Sequence, residues 1–431
     1  MNVNDISDRF DLSSGKLTIS GIDADALIKD FATPLFVYDG QTIIDRYTYL
    51  RENLPVEVDI FYAMKANSNI AVIKQLVDLG AGVEVASEGE LYACGKVGVD
   101  PKNIVFAGPS KTNEDISMAI DMGIYALNAE SLGEIKRINT IAEGKGKVMD
   151  IELRINPEFE VAGAAVNLGG GSKKFGIDSE TVSKVIEETS NLKNIRLQGI
   201  HVFAGTGIQN SEGFLSNLES CFELAQGIND NHFKVLSIDF GGGIGIPYAD
   251  DDPDLSIEGI STSITELIEK YPFVKENNTR IIAEPGRYLV GQSGIYITEI
   301  IDRKNSRGRE YLLVDGGAQH LLRPALIGTS HPTFNISRKQ ENFVPFDIGG
   351  SLCTSIDFLG KDIQLPAESE SGDFIGVFCS GAYGYTESMP LFLSHDFASE
   401  VLVHNGKYDL IRPRIKIRDI VDAQIIPGEL L

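Results

Sequence analysis

The sequence predicts an α/β protein in which a (β/α)8 barrel spans residues 36–290 and a β-rich domain is built from residues 1–35 and 291–431. Two observations predict it. Between residues 59 and 287, eight short apolar runs alternate with segments of helical periodicity. After about residue 290 that alternation stops, and strand-like runs broken by Gly, Asn and Asp take over.

The eight expected strands are Asp59–Ala66, Gly82–Ser87, Ile104–Pro109, Ile124–Asn128, Val148–Asn156, Ile195–Ala204, Val235–Phe240 and Arg280–Glu284. Between them, NIAVIKQLVDLG, EDISMAIDMG and SKVIEETSNL repeat apolar residues every three or four positions, and Gly and Pro punctuate the junctions. An open doubly wound sheet would use the same units; a count of eight favours closure into a barrel. In the C-terminal part the expected strands lie in SGIYITEIIDRK, EYLLVDGG, GDFIGVFCSGAYG and SEVLVHNGKYDLIR. HNGKY carries an Asn-Gly hairpin signal. KLTISGID near the N-terminus fits no barrel pattern and is expected to pair with the β-rich domain.

Composition narrows the function. A net charge of −24 over 431 residues repels nucleic acid and anionic membrane, so neither is expected as a main partner. No run approaches 18 apolar residues, and MNVNDISDRF has neither the basic nor the apolar region of a signal peptide. Four widely spaced cysteines, in no metal-ligand pattern, fit a reduced, soluble, cytoplasmic protein. No metal site is expected: His232, His320, His331 and His404 have no ligand spacing. Cys94 and Cys221 fall in helical patterns and read as core, and His395 as structural.

The chemistry gathers at the predicted C-terminal ends of the barrel strands, where such barrels build their sites. The first strand runs into FYAMKAN and Lys65. That lysine either snorkels to solvent or is an amine of lowered pKa able to condense with a carbonyl. The second strand ends at GVEVAS, with Glu84 either touching the lysine or a cofactor or making a structural ion pair. GIHVFAGTG follows the sixth strand and brings Phe203 and Thr206. DFGGGIG follows the seventh, where Gly242 and Gly243 form either a tight turn or an anion nest. AEPGR closes the eighth, and Glu284 is either an ion-pair partner of Arg287 or the carboxylate that keeps a cofactor's pyridine nitrogen protonated. Amine, anion nest and ring-nitrogen carboxylate are the three contacts that pyridoxal phosphate requires.

These motifs resemble the fold-type III pyridoxal-phosphate decarboxylases, the diaminopimelate, ornithine and arginine decarboxylase family, over roughly residues 30–425. YAMKAN is similar to that family's cofactor-lysine motif, VEVASEGEL to its second-strand motif, and GGGIGIPY to its phosphate loop. AEPGR is similar to its pyridinium carboxylate, GSLCTSID to its specificity-loop cysteine, and GAYG to its phosphate-contacting tyrosine. The resemblance implies a TIM-like barrel with a β-rich domain, the alanine racemase-like fold. It implies pyridoxal 5'-phosphate as cofactor, held by Lys65, with Glu84, Phe203 and Glu284 around its ring. Thr206, Gly242, Gly243, Arg287 and Tyr383 would surround its phosphate. Arg323, Cys353, Thr354 and Tyr383 would meet the substrate, and Cys353 would double as a proton donor reaching the site of a second subunit in a homodimer.

Several positions depart from the family's pattern. Phe203 stands where a histidine usually stacks on the cofactor, and His201, two residues earlier, is expected by alternation to point to the other face. Thr354 replaces the acid that holds a distal amine in members acting on basic substrates. Arg323 in RPAL is retained, but Ile327 stands where a tyrosine is expected. GGGSKKFGID, HVFAGT, CTSIDFLGKD and YGYTESMPLFLSHDFASEVLV are similar to an atypical branch that includes decarboxylases of glutamate held on an acyl carrier protein. Lys173 and Lys174 are the expected contacts for such an acidic carrier. The expected activity is α-decarboxylation of an amino acid, free or carrier-bound, in lysine or secondary-metabolite biosynthesis. The alternatives are diaminopimelate decarboxylase, an amino-acid racemase and a non-catalytic binding homologue. Asp357 either lines the pocket or caps a helix, and Tyr385 is read as pocket wall.

Overall fold

The computed structural model describes residues 3–158, 166–167, 169–203, 205–209, 211–249, 252–253, 255–328 and 330–430. The chain divides into two compact units: Arg46–Pro247 with Pro253–Leu289, and Met1–Asp45 with Tyr248–Asp252 and Val290–Leu431.

The first unit is a closed parallel barrel. Its strands are Val58–Ala63, Gly82–Val85, Ile104–Phe106, Ala126–Ala129, Met149–Asn156, Ile195–His201, Ser237–Asp239 and Arg280–Ala283. Each pairs in parallel with the next, and Arg280–Ala283 returns to pair with Val58–Ala63, which closes the ring. All eight expected runs are therefore strands, each shorter than its expected run: most stop before the polar strand end, while Ala126–Ala129 and Met149–Asn156 begin later instead. Local chemistry fixes those turns. Asn69, Ser87 and Ser131 cap the helices that follow the first, second and fourth strands, and Thr112 with Asp115 forms a capping box after the third. Gly98 and Gly123 end two of these helices in the left-handed conformation. Phe61, Val105, Ala126 and Ile282 pack together within the barrel, with Tyr125 against them.

The second unit is built on one long strand, Gly294–Ser306, which pairs antiparallel with Leu35–Asp39, Arg309–Val314 and Phe374–Val377. Ser399–His404 runs parallel to Leu35–Asp39 and turns back into Lys407–Arg412. Asn405 and Gly406 make that turn with φ of 50° and 70°, the conformation the Asn-Gly signal requires. Leu35–Asp39 thus belongs to this sheet, and the unit extends to Asp45 rather than stopping at residue 35. KLTISGID behaves differently from expectation. Thr18–Ile19 pairs with Phe10–Asp11 and Ile22–Asp23 in a three-stranded sheet of its own. Two-residue strands joined by Ser20 and Gly21, both at positive φ, satisfy each other locally and leave no length to join the larger sheet. Among the described residues no helix is long and apolar enough to cross a membrane.

Candidate active site

Lys65 sits in a single 3-10 turn, Met64–Ala66, directly after the first barrel strand. That turn is pinned from both sides. The Tyr62 hydroxyl donates to the Asn67 carbonyl at 2.8 Å, and Asn67 Oδ1 accepts the Asn69 N–H at 3.0 Å, just before Asn69 caps the next helix. The lysine Nζ lies 3.0 Å from Glu84 Oε2 and 5.2 Å from the centre of the Phe203 ring. Its side chain keeps 36% of its exposure, against 2% for Glu84. Lys65 is therefore neither snorkelled free nor fully interred. Burial raises the Glu84 carboxyl; Lys65 opposes the shift and Glu284 adds to it.

Glu284 follows the eighth strand, its N–H donating to the Gly241 carbonyl at 2.8 Å. The glycine run makes this approach possible. A Cβ on Gly242 would lie 2.1 Å from the Glu284 carbonyl oxygen, and one on Gly241 would lie 2.7 Å from the Phe203 ring. Gly243, at φ +91°, approaches Gly205 just as closely, and its carbonyl accepts from the Ile208 N–H. The amides of Gly242 and Gly243 make no hydrogen bond among the described residues, leaving two N–H groups for an anion. Thr206 stands half-buried beside this turn, on a short strand paired with Val166–Asn167. Arg287 is buried at the start of the turn of helix that follows Glu284.

His201 does not point away. Its Nε2 lies 3.5 Å from Glu284 Oε2, with 1% and 2% of the two side chains exposed. Residues two apart along a strand share a face, so alternation places His201 and Phe203 on the same side, and the expectation of opposite faces was an error. One atom each of His201, Asp239 and Glu284 lie mutually within 4.8 Å. Asp239 and Glu152 are buried carboxyls that the sequence reading did not single out. Their only signal was an acid inside an apolar strand, in SIDF and DIELRIN.

The four carboxyls divide by charge. Burial would raise Glu284, but His201 and Lys65 beside it prevail and hold it down at about 2. Burial, with Glu284 and Glu152 nearby, drives Asp239 well above the carboxylate range, and its Oδ1 accepts the Gly241 N–H at 2.8 Å. Burial also pushes Glu152 up to about 8. Of the four, Glu284 alone is shifted toward its ionised form, while burial shifts Glu84, Asp239 and Glu152 toward their protonated forms. Its Oε1 is buried with no hydrogen-bond partner among the described residues. An amine, an aromatic face, paired free amides and an unpartnered carboxylate oxygen fit pyridoxal phosphate, which offers an aldehyde, a ring with a basic nitrogen, and a phosphate.

The remaining expected residues lie in the second unit. Cys353 is exposed and Thr354 half-buried on one loop. Asp357 neither caps a helix nor stands open. It is buried, and its carboxylate accepts the N–H groups of Leu352 at 2.6 Å and Ala318 at 2.7 Å, so it holds the loop's shape. Arg323 opens a short helix, with its guanidinium 4.9 Å from the centre of the Tyr248 ring. Tyr383 is half-buried at φ 58°, in a bend where a Cβ on Gly381 would lie 1.8 Å from the Val290 carbonyl oxygen. Lys173 and Lys174 are exposed, with Glu158, Asp178 and Glu180 lining the same cavity as Lys173, so this patch is of mixed charge.

Comparison with known proteins bears on this arrangement. Residues 40–291 match the family model described as pyridoxal-dependent decarboxylase, pyridoxal binding domain. The chain is 34% identical to the L-glutamyl-[BtrI acyl-carrier protein] decarboxylase of Niallia circulans, over 93% of this chain and 95% of that one. It is 33% identical to the diaminopimelate decarboxylase of Aquifex aeolicus, over 95% and 96%. Among solved structures, the diaminopimelate decarboxylase of M. jannaschii superposes with a TM-score of 0.91 at 28% identity, covering 99% of this chain and 100% of that one. The Helicobacter pylori diaminopimelate decarboxylase, solved with L-lysine, gives 0.86 at 28%, covering 93% and 98%.

Proposed function

The chain belongs to the pyridoxal-dependent decarboxylases, and from that premise we propose that it removes the α-carboxylate of an amino acid whose far end presents no free ammonium group, such as an aminoacyl group tethered to a carrier protein. Pyridoxal phosphate, when bound, supplies the electron sink for the carbanion left as CO2 departs. Each residue has a part. Lys65 offers the amine, and Glu84, 3.0 Å away, fixes where that amine stands. Glu284 keeps an ionised carboxylate for a ring nitrogen, which an arginine at that position would not do. Phe203 supplies an apolar ring face. Gly242 and Gly243 offer amides to a phosphate, with Thr206, Arg287 and Tyr383 as further phosphate ligands. Arg323 holds a substrate carboxylate, Thr354 lines the distal end, and Cys353 delivers a proton to Cα. The enzyme acts as a homodimer in the cytoplasm; its four unpaired cysteines fit a reducing compartment.

The observation that carries the reaction is the pair of buried acid contacts, Lys65 with Glu84 and His201 with Glu284, in one barrel interior. It weighs against a racemase, which favours a ring-nitrogen arginine, and the retained Lys65 weighs against a non-catalytic homologue. The substrate preference rests on Thr354, uncharged where basic substrates need an acid. A second reading, free diaminopimelate, is favoured by the retained Arg323. A CO2-release screen decides between them. It compares free diaminopimelate, ornithine, lysine and glutamate with carrier-bound glutamate. Rapid release from the carrier-bound substrate alone is expected, and ordinary turnover of free diaminopimelate would overturn the carrier reading.

A further inference from the structure

We propose that His201 is a positioning residue for Glu284, standing against Oε2 so that Oε1 is left for the coenzyme's ring nitrogen, with Asp239 as a hydrogen-bond donor to the same carboxylate. The inference rests on Glu284's role toward the ring.

The geometry carries it. His201, Asp239 and Glu284 come from the ends of three successive strands, Ile195–His201, Ser237–Asp239 and Arg280–Ala283. All three are buried, and His201 Nε2, which makes no hydrogen bond among the described residues, stands in close contact at 3.5 Å with one Glu284 oxygen, while the other Glu284 oxygen has no hydrogen-bond partner there. A carboxylate with an imidazole against one oxygen and nothing against the other has its two oxygens distinguished by their surroundings. The surroundings need such a clamp. Glu284 shares the barrel interior with Glu84, Asp239 and Glu152, and His201 and Lys65 supply the leading opposing charge beside it. Lys65 is already paired with Glu84. His201 is the group that distinguishes Glu284 from its neighbours, which are raised while it is lowered. Asp239 gives the complementary half: its Oδ1 accepts the Gly241 N–H, its Oδ2 is buried without a hydrogen-bond partner among the described residues, and one of its oxygens lies within 4.8 Å of Glu284, so burial and the neighbouring carboxylates favour its protonated, donating form. One strand end thus serves two purposes, with Phe203 facing the lysine and His201 gripping the carboxylate.

The test uses the full-length holoenzyme, loaded with pyridoxal phosphate labelled with 15N in the ring. His201→Phe removes the nitrogen and keeps a ring of similar size. It is expected to shift the ring-nitrogen resonance toward the unprotonated value and to lower kcat tenfold to a hundredfold, with little change in KM. His201→Gln, which restores a donor, should recover part of both effects. In a Glu284→Gln background His201→Phe should cost less than threefold, because the two residues act as one unit. Asp239→Asn, which imitates a neutral acid, should stay within threefold of wild type. The proposal is overturned by an unchanged 15N shift in both His201 variants, by additive losses in the double variant, or by an Asp239→Asn loss as large as that of Glu284→Gln. Where His201→Phe fails to fold, His201→Gln and the Asp239→Asn comparison decide the matter. Failure of the underlying reading looks different: wild-type protein would then hold the coenzyme with no borohydride-reducible bond to Lys65.

Discussion

In the barrel unit, the titratable groups at the strand ends have close neighbours: Lys65 faces Glu84, Glu284 faces His201, and Asp239 faces the Gly241 amide. In the β-rich unit, the loop of Cys353 and Thr354 is organised by Asp357 through backbone amides, and those two residues keep solvent exposure. The first arrangement is constrained because an unpaired charge in a buried interior costs several kcal/mol, so Glu284 stays ionised only with His201 and Lys65 beside it. The second is replaceable because changing an exposed side chain leaves the amide-carboxylate brace intact. Under the proposed function, the barrel sets the reaction class and the loop sets which molecule undergoes it.

The largest test of that contrast is Lys65→Ala. Removing the amine should cut CO2 release by at least about a thousandfold, abolish the borohydride-sensitive band near 420 nm, and leave Glu84 without its cation. A variant that kept both coenzyme and activity would end the account of the barrel. The loop should tolerate substitution far better.

The barrel interior should also reveal its cost in stability. Glu152 is held near 8 when folded, against an ordinary value of 4.5. Between those pH values the folded chain keeps a proton that the unfolded chain has released. Stability therefore falls as pH rises across this window, by up to about 1.4 kcal/mol per pH unit, and is fully recovered only below the unfolded value. Glu152→Gln keeps the shape and removes the titration. Its thermal midpoint should fall less from pH 5 to pH 8 than that of wild type; an equal or steeper fall would mean that Glu152 is ionised in the fold.

How much of this was legible in the sequence follows the same division. The eight strands were readable because each is a short apolar run between caps and glycines, which are local features. The Asn405–Gly406 hairpin was readable for the same reason. Lys65, Glu84 and Glu284 were found because strand ends in a barrel converge. Asp239 and Glu152 were missed because burial of an acid is set by ring closure, which brings strands from distant parts of the chain together. His201 was misplaced through a slip in strand periodicity rather than for want of signal. KLTISGID was assigned to the wrong partner because two-residue strands carry almost no register information.

Asp357 tests whether the loop's brace matters apart from its chemistry. Asp357→Ala leaves the Leu352 and Ala318 amides without an acceptor, at a cost of about 1–3 kcal/mol. The expected result is a lower thermal midpoint and a raised KM, with the borohydride-sensitive band unchanged. A variant with a normal KM would show that the loop keeps its shape without the carboxylate.

Thr354→Asp carries the smallest expected change and the sharpest reading of the contrast. Thr354 is half-buried on a loop whose backbone is held by other residues, so an acid there should be accommodated without disturbing the barrel. A carboxylate at that position would attract a distal ammonium, and a partly solvated ion pair of that kind is worth about 1 kcal/mol. The ratio of kcat/KM for free basic amino acids over carrier-bound glutamate should therefore rise roughly fivefold to tenfold, with the coenzyme spectrum unchanged. If the ratio stays fixed while the spectrum shifts, residue 354 influences the coenzyme rather than the substrate, and specificity must be sought among the barrel's own side chains.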